Sequence, residues 1–161
     1  MKNYTGFTLI ELIITVAIAA IVMAIGIPSF RETIRENRLT TYNNQFITAL
    51  NLARSEAIKR GSITTLCSSD GSTCKPGGYQ QGWIVFRNPT NATSPVDAAS
   101  IIRVFEKLPE GMTLTGSADS VSYNSIGIGT AVTWNLCKDG KGRGIEIVAP
   151  GQIKSVTPTC P

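Results

Sequence analysis

The sequence predicts an α+β fold in which one long N-terminal helix is followed only by β-strands. Three observations lead to this fold class. An apolar stretch with a single charge covers residues 7–27, and helical periodicity continues from Ser29 to Arg60. From residue 62 onward, short runs rich in β-branched and aromatic residues are separated by Gly, Pro, Asn or Asp. Helix first and strands afterwards favours α+β over alternating βαβ units.

The first element is an apolar segment, Phe7–Ile27, which carries one charge, Glu11. As a helix it would span about 31 Å, close to a bilayer core of roughly 30 Å. Lys2 and the amino terminus orient residues 1–6 toward the cytoplasm. A cleaved secretory signal is the alternative interpretation. The alanines within the segment leave it open, because small residues are typical of signal-peptide cleavage sites. The segment is, however, longer than the usual apolar run of about 7–15 residues.

Glu11 is unexpected within a spanning helix, because a carboxylate in the membrane is costly and needs a partner. An interfacial position or protonation would each explain it. A third explanation is cleavage after Gly6, which creates an α-amino group on Phe7. That amine, or the one on a neighbouring subunit, would neutralise the carboxylate.

The string GFTLIE, from Gly6 to Glu11, resembles the class III signal of type IV pilins and type II secretion pseudopilins. The resemblance implies that a prepilin peptidase cleaves between Gly6 and Phe7 and that Phe7 is N-methylated. It implies that Glu11 pairs with a neighbouring subunit's Phe7 amine during assembly. Pro28 resembles the helix-weakening proline of this family, and it removes one helical hydrogen bond. An ordinary kink at the membrane exit is the other interpretation of Pro28.

The resemblance also implies how the chain is divided and where it resides. Residues 1–6 are a leader peptide, residues 7–28 a transmembrane or filament-core helix, and residues 29–161 a periplasmic globular head. The subunit is stored as a single-pass protein of the inner membrane and then moves into a pilus at the cell surface.

The second half of the predicted helix is amphipathic and ends near Gly61, a plausible C-terminal cap. Its apolar positions recur at steps of three and four, as expected for a face packed on a sheet; they are Leu39, Tyr42, Phe46, Leu50, Ala53 and Ala57. The predicted strands are Ser62–Cys67, Gln81–Arg87, Ile101–Leu108, Met112–Thr115, Ser120–Ser125, Ala131–Leu136, Gly144–Val148 and Gln152–Val156. Residues 88–100 form the longest predicted loop.

The four cysteines fit two disulfides in an oxidising compartment. Cys67 and Cys74 bracket an Asp-Gly turn, so we favour a local Cys67–Cys74 bridge, which leaves Cys137–Cys160. Three pairings are possible in principle. A tetrathiolate zinc site is the alternative use of these residues, but the spacings do not fit one.

The remainder of the chain narrows the resemblance to the GspH/FimT/FimU-like minor pilins. The matching segments are residues 52–60, the strand ending in Leu66-Cys67, the cysteine-closed loop, residues 82–86, and residues 151–154 before Cys160. The resemblance therefore implies a pilin-like head: a long helix packed on an antiparallel sheet with two disulfides.

Composition argues against catalysis. The chain has no histidine, which excludes Ser-His-Asp and Cys-His catalysis and every histidine-containing metal site. Four aspartates, at positions 70, 97, 119 and 139, have the small neighbours typical of turns. We therefore predict a protein that is not an enzyme and that needs no metal or other cofactor.

The net charge of +4 permits contact with anionic surfaces. If residues 140–144 form a flexible hairpin loop and Lys154 lies at the end of an adjacent strand, four C-terminal cations can form one basic patch for DNA phosphates; they are Lys138, Lys141, Arg143 and Lys154. Some FimT-like pilins bind DNA through a Gly-Arg-x-Arg motif. Here the matching residues 151–154 read GQIK, which weakens that inference, and a solvated surface is the simpler interpretation.

The resulting prediction is a minor type IV pilin of a Gram-negative bacterium. It would be a structural subunit of the tip or priming complex, with other minor pilins and the major pilin as partners, supporting pilus assembly and twitching motility. The alternatives are a DNA-binding pilin used in natural transformation and a minor pseudopilin of a type II secretion system.

Overall fold

The computed structural model describes residues 8–160, so Gly6 and Phe7 lie outside the described residues. One α-helix, α1, extends from Leu9 to Arg60. The chain divides into two compact units after Arg38, and each unit is described separately.

The first unit, described from Thr8 to Arg38, is entirely helical from Leu9 onward. Its large apolar side chains are exposed throughout residues 9–30, and Phe30, for example, is 68% exposed. The segment is long and apolar enough to cross a membrane. Pro28 lies inside the helix rather than at its end.

The second unit begins with the remainder of α1, whose buried face matches the apolar stripe predicted from the sequence. Leu39, Phe46, Leu50, Ala53 and Ala57 are fully buried. Tyr42 is only half-buried, and Asn43 and Ala49 are buried in addition.

The predicted cap of α1 is present at Gly61, which adopts a φ of +59°. The amide of Gly61 donates to the carbonyl of Ile58, and the amide of Ser62 donates to the carbonyl of Ala57. These two bonds form a Schellman motif that ends the helix and lets the chain turn into the first strand.

All eight predicted strands exist, although their ends shift by a few residues and two short 3₁₀ turns occur at Tyr79–Gln81 and Ala98–Ser100. The strands are β1 Thr64–Ser68, β2 Trp83–Arg87, β3 Ile101–Phe105, β4 Thr113–Gly116, β5 Ser120–Tyr123, β6 Thr133–Lys138, β7 Lys141–Val148 and β8 Gln152–Val156. They form two four-stranded antiparallel sheets, with strand orders β3-β2-β1-β5 and β4-β6-β7-β8.

One hydrophobic core joins the C-terminal part of α1 to both sheets. Phe46 lies at its centre and packs edge-on against three aromatic rings with centroids 5.2–5.3 Å away. Those rings belong to Tyr79, Trp83 of the first sheet and Trp134 of the second. Edge-to-face contacts of this kind stabilise beyond the area that they bury.

Two disulfides are formed, Cys67–Cys74 and Cys137–Cys160. The first closes the turn after β1, and the second ties residue 160 to β6. Gly142, the register partner of Cys137, makes room for the second bridge, because a Cβ at this position would collide with Sγ of Cys160.

Candidate functional site

The candidate assembly segment is the exposed apolar part of α1 together with its one carboxylate. Glu11 is exposed in the first turn of the helix, and its backbone amide lies 3.4 Å from Oγ1 of Thr8. A helix N-terminus favours negative charge, so the backbone itself stabilises a carboxylate at this position. Between residues 9 and 30 Glu11 is the only charged side chain. It is therefore the side chain of this segment that can form an ion pair with a positively charged partner.

The candidate DNA-binding cations lie in and beside the β6–β7 hairpin, and the structure corrects the expected flexible loop at residues 140–144. Strand β7 already begins at Lys141, and the connection is the two-residue turn Asp139-Gly140. Both turn residues have positive φ, 50° and 73°. Tight hairpin turns need this geometry to match strand twist.

Three of the four cations share one face of the second sheet. Lys138 pairs directly with Lys141, and Arg143 pairs with Leu136. Because register partners point to the same side, and Leu136 is in the core, these cations extend the core-facing side of the sheet beyond the core. Lys141 and Arg143 are exposed, whereas Nζ of Lys138 donates to the carbonyl of Glu110 at 3.2 Å.

Lys154 lies apart from that group. It is the register partner of Glu146, and both alternate with residues that face the core, Ile145 and Ile153. Lys154 therefore projects from the outer face of the sheet, next to a carboxylate. A single patch of all four cations, expected from the sequence, is wrong, because strand alternation separates Lys154 from the hairpin group.

The loop after β1 is held by its disulfide and by an exposed ion pair between Lys75 and Asp70. The hydrogen bond from Lys75 lowers the pKa of the Asp70 carboxyl below its ordinary value. Ser68 and Ser69 satisfy the loop carbonyls of Lys75 and Thr73. This arrangement organises a turn and offers no pair of carboxylates for acid–base chemistry.

Buried tyrosines are the other titratable groups with altered pKa values. Burial raises the pKa of Tyr123 to about 12, and it raises the pKa of Tyr79 further. The Tyr79 hydroxyl donates to the carbonyl of Ala118, whereas the buried Tyr123 hydroxyl has no hydrogen-bond partner. Among residues 8–160, no three His, Cys, Asp or Glu side chains are placed to hold a metal ion.

A feature that the sequence analysis missed is the β5–β6 loop, whose Gly127 lies against Ile58 of α1 and whose Ile126 and Ile128 are exposed like Ile58. The side chains of Ile58, Ile126 and Ile128 are 51%, 70% and 43% exposed. The alternation Ile-Gly-Ile at residues 126–128 resembles a turn flanked by strand residues, and the sequence contains no signal that it packs beside the end of α1.

Two family models match the chain. Residues 43–151 match the family described as type II transport protein GspH, and residues 1–27 match the prokaryotic N-terminal methylation motif. A curated relative, prepilin peptidase-dependent protein D of Escherichia coli (strain K12), is 35% identical over 65 residues. That match covers 40% of this chain and 44% of the relative, so the chain spans less than half of the relative's length.

Solved structures share the fold. The type IV minor pilin FimU of Pseudomonas aeruginosa (strain PAO1) has a TM-score of 0.61 at 19% identity, covering 74% of this chain and 89% of that one. The minor pseudopilin EpsH of the Vibrio cholerae type 2 secretion system has a TM-score of 0.55 at 14% identity, covering 74% and 97%.

The long apolar helix, the disulfide-bonded head of two sheets and the methylation motif define a type IV pilin-like protein of the minor pilin and pseudopilin class. The chain belongs to the GspH family of type II transport proteins. This family consists of structural subunits, and the methylation motif implies processing by a prepilin peptidase. The apolar helix and the family together suggest that the subunit is anchored in a membrane.

Proposed function

We propose that the chain is a minor type IV pilin of a Gram-negative bacterium, a structural and non-enzymatic subunit of the tip or priming complex. One observation carries the proposal: the exposed apolar surface of α1 contains a single carboxylate, Glu11, close behind a methylation motif. Exposed apolar area on this scale needs either lipid or other helices around it. The subunit is first stored in the inner membrane with its head in the periplasm, where lipid surrounds the helix. It is then packed in a filament, where other helices surround it.

In this mechanism the prepilin peptidase cleaves between Gly6 and Phe7, and the new amine of Phe7 is methylated. The helix then leaves the lipid and packs among other pilin helices. Glu11 aligns the incoming subunit, because its carboxylate is neutralised by the Phe7 amine of a neighbour. Pro28 removes one helical hydrogen bond and gives the helix a weak point at the membrane exit. The head stays outside the core and contacts other minor pilins and the major pilin.

A minor pseudopilin of a type II secretion system is the second candidate, favoured by the family description that residues 43–151 match. Both functions use the same N-terminal machinery, so they differ in the filament that the subunit enters. A DNA-binding pilin is supported by the three cations in and beside the β6–β7 hairpin. Lys154 does not support this function, because it projects from the opposite face of the sheet.

A deletion strain tests the proposal when two assays are run side by side. We expect loss of surface pili and of twitching motility with normal export of type II substrates, both restored by the wild-type gene. Secretion loss with normal pili and motility would instead identify a pseudopilin. A matched complementation with Glu11→Ala is expected to fail in either machine and so serves as the control for helix assembly.

A further inference from the structure

A shallow groove runs along α1 at the end of its apolar segment and finishes at a cation. It is lined by Val22, Met23, Gly26, Ile27, Phe30 and Arg31. The four large apolar side chains among them are 51–68% exposed, so within residues 8–160 no part of the chain covers the groove. A surface that is apolar along its length and positive at one end fits an amphipathic, negatively charged molecule.

Gly26 leaves the backbone of the helix open in this groove. A Cβ at Gly26 would meet no atom within 4 Å beyond the backbone of its own turn of helix. The packing of the described chain therefore does not require a glycine here, although glycine inside a helix is less stable than alanine. The missing side chain instead makes room for a molecule that lies along the helix.

Arg31, at the end of the groove, is available to bind an anion. Its side chain is exposed, and none of the ion pairs among residues 8–160 involves it. Arg35, one turn further along, is already paired with Glu32. An arginine can hold a phosphate through two parallel N–H···O hydrogen bonds. Arg31 therefore supplies the polar contact of the groove.

The position of Arg31 along the helix matches the level of lipid phosphates. If residues 7–27 fill the hydrocarbon core, Arg31 lies about 6 Å beyond it. The headgroup layer of each leaflet is about 5–8 Å thick. Helical side chains lean toward the N-terminus, which here brings the guanidinium back toward the membrane. Arg38 lies about 16 Å beyond the core, outside the headgroup layer.

A phospholipid satisfies both parts of the groove at once. Its acyl chain can lie on Gly26 between the apolar side chains while its phosphate pairs with Arg31. A second apolar helix would cover the groove but would leave Arg31 without a counter-charge. A headgroup with an amine would need a carboxylate nearby, and Glu32 is already paired with Arg35. The charges therefore favour a lipid whose headgroup is negative overall.

We propose that the groove over Gly26 and Arg31 binds one anionic phospholipid of the outer leaflet while the subunit is stored. The proposal rests on the inner-membrane storage and orientation proposed above, and it adds a defined lipid site to them. The apolar side chains hold the acyl chain, and Arg31 holds the phosphate.

Photolabelling of the full chain in nanodiscs tests this site. The discs contain phosphatidylcholine and a small fraction of phosphatidylglycerol with a photoactivatable diazirine in one acyl chain, and mass spectrometry locates the labelled residues. We expect the label on the groove residues rather than on Ile21 and Ile25, which face away from the groove. A phosphatidylcholine probe with the same acyl chain should label both sides of the helix equally.

Two pairs of variants separate a lipid site from general contact with the bilayer. Arg31→Gln should lower groove labelling by the phosphatidylglycerol probe about fivefold. Arg38→Gln, on the same side of the helix about 10 Å further along, should leave it unchanged. Gly26→Leu should lower the labelling to a similar extent by filling the groove. Ala24→Leu, about 200° round the helix from Gly26, should not lower it.

Each outcome decides the proposal. Equal labelling around the helix, or groove labelling that Arg31→Gln leaves unchanged, overturns it, because both are expected of ordinary lipid contact. Equal groove labelling by the two probes also overturns it, as does a groove that crosslinks to a second copy in place of lipid.

The amount of chain inserted into the discs is measured for every variant, so a variant that fails to insert is not mistaken for one that has lost the lipid. A wild-type chain that does not insert would overturn membrane storage together with the lipid site. The deletion assays judge the pilus function separately, because the labelling is carried out without a filament.

Discussion

Lys154 lies directly opposite Glu146 in the ladder between β7 and β8, on the outer face of the second sheet. Arg143, which is near in sequence, points to the other face through its pairing with Leu136. Nucleic-acid phosphates that reach Arg143 therefore do not reach Lys154 through the same surface. This separation makes the two residues independent tests of DNA binding.

Any DNA binding should depend on the hairpin cations and not on Lys154. Three phosphate contacts give a slope of about −2.7 for log affinity against log salt, or about 40-fold between 50 and 200 mM salt. The measurement is titration of labelled duplex DNA into the oxidised head, residues 31–161. We expect Arg143→Ala to weaken any binding and Lys154→Ala to leave it unchanged. Tight binding at 200 mM salt that Lys154→Ala abolishes would contradict the arrangement.

The stability of the head should fall as the pH rises above 10, because of its buried tyrosines. Tyr123 has a pKa of about 12 in the folded head and about 10 when unfolded, so the folded state holds a proton that the unfolded state releases. The contribution of Tyr123 is complete below pH 10 and is lost by about 1.4 kcal/mol per pH unit between 10 and 12, and Tyr79, whose pKa is also raised, adds to the loss.

Tyr123→Phe provides the matched control for this pH effect. The Tyr123 hydroxyl is buried without a hydrogen-bond partner, so its removal should leave the free energy of unfolding at pH 7 unchanged or slightly increased. The loss above pH 10 should become shallower. Urea unfolding at pH 7, 9 and 11 measures both effects. A loss of more than about 2 kcal/mol at pH 7 would be inconsistent with an unpaired hydroxyl.

Removing the Cys137–Cys160 bridge should cost more stability than removing a shorter bridge. Its sequence separation is 23, against 7 for Cys67–Cys74. The chain-entropy model gives about 3 kcal/mol for the longer loop and about 2 for the shorter. Urea unfolding of Cys137→Ala/Cys160→Ala measures the longer one. An unchanged midpoint would show that the Cys137–Cys160 bridge does not stabilise the head by constraining the unfolded chain.

Gly127→Ala should disturb the contact between the β5–β6 loop and α1. The residue has a φ of +79°, which an L side chain rarely adopts, and the new methyl would press on Ile58. We expect a loss of about 1–2 kcal/mol in the free energy of unfolding. Gly140→Ala, at a positive φ with open space around it, is the control for backbone strain alone. Equal losses in the two variants would show that Gly127 does not pack on Ile58.

The fold class and the elements could be predicted because their signals are local. Apolar positions spaced by three and four placed the buried face of α1 on Phe46, Leu50 and Ala53, and Gly61 marked its end. Alternation and turn residues found every strand. The division into two sheets could not be predicted, because it depends on which strands pair at long range.

The candidate sites were less accessible to sequence reasoning. Gly142 was expected in a loop, yet it lies within β7, where a side chain would collide with Sγ of Cys160. The position of the β5–β6 loop against α1 depends on a hydrogen bond to Gly127 from Arg54, 73 residues earlier in the chain. Both relationships join residues that are far apart in the sequence, so neither produces a local sequence pattern from which it could be predicted.

The central claim is that this chain is a pilus subunit whose exposed apolar helix enters the filament with Glu11 neutralised by a neighbour. The most direct measurement is the amount of the chain in pili sheared from cells that express the wild type, Glu11→Ala or Gly6→Ala. We expect the wild type in the sheared fraction, cleaved before Phe7 and methylated there. Glu11→Ala should be cleaved but remain in the membrane, and Gly6→Ala should remain there uncleaved. Wild-type chain absent from the pili, or Glu11→Ala incorporated at the wild-type level, would contradict the account.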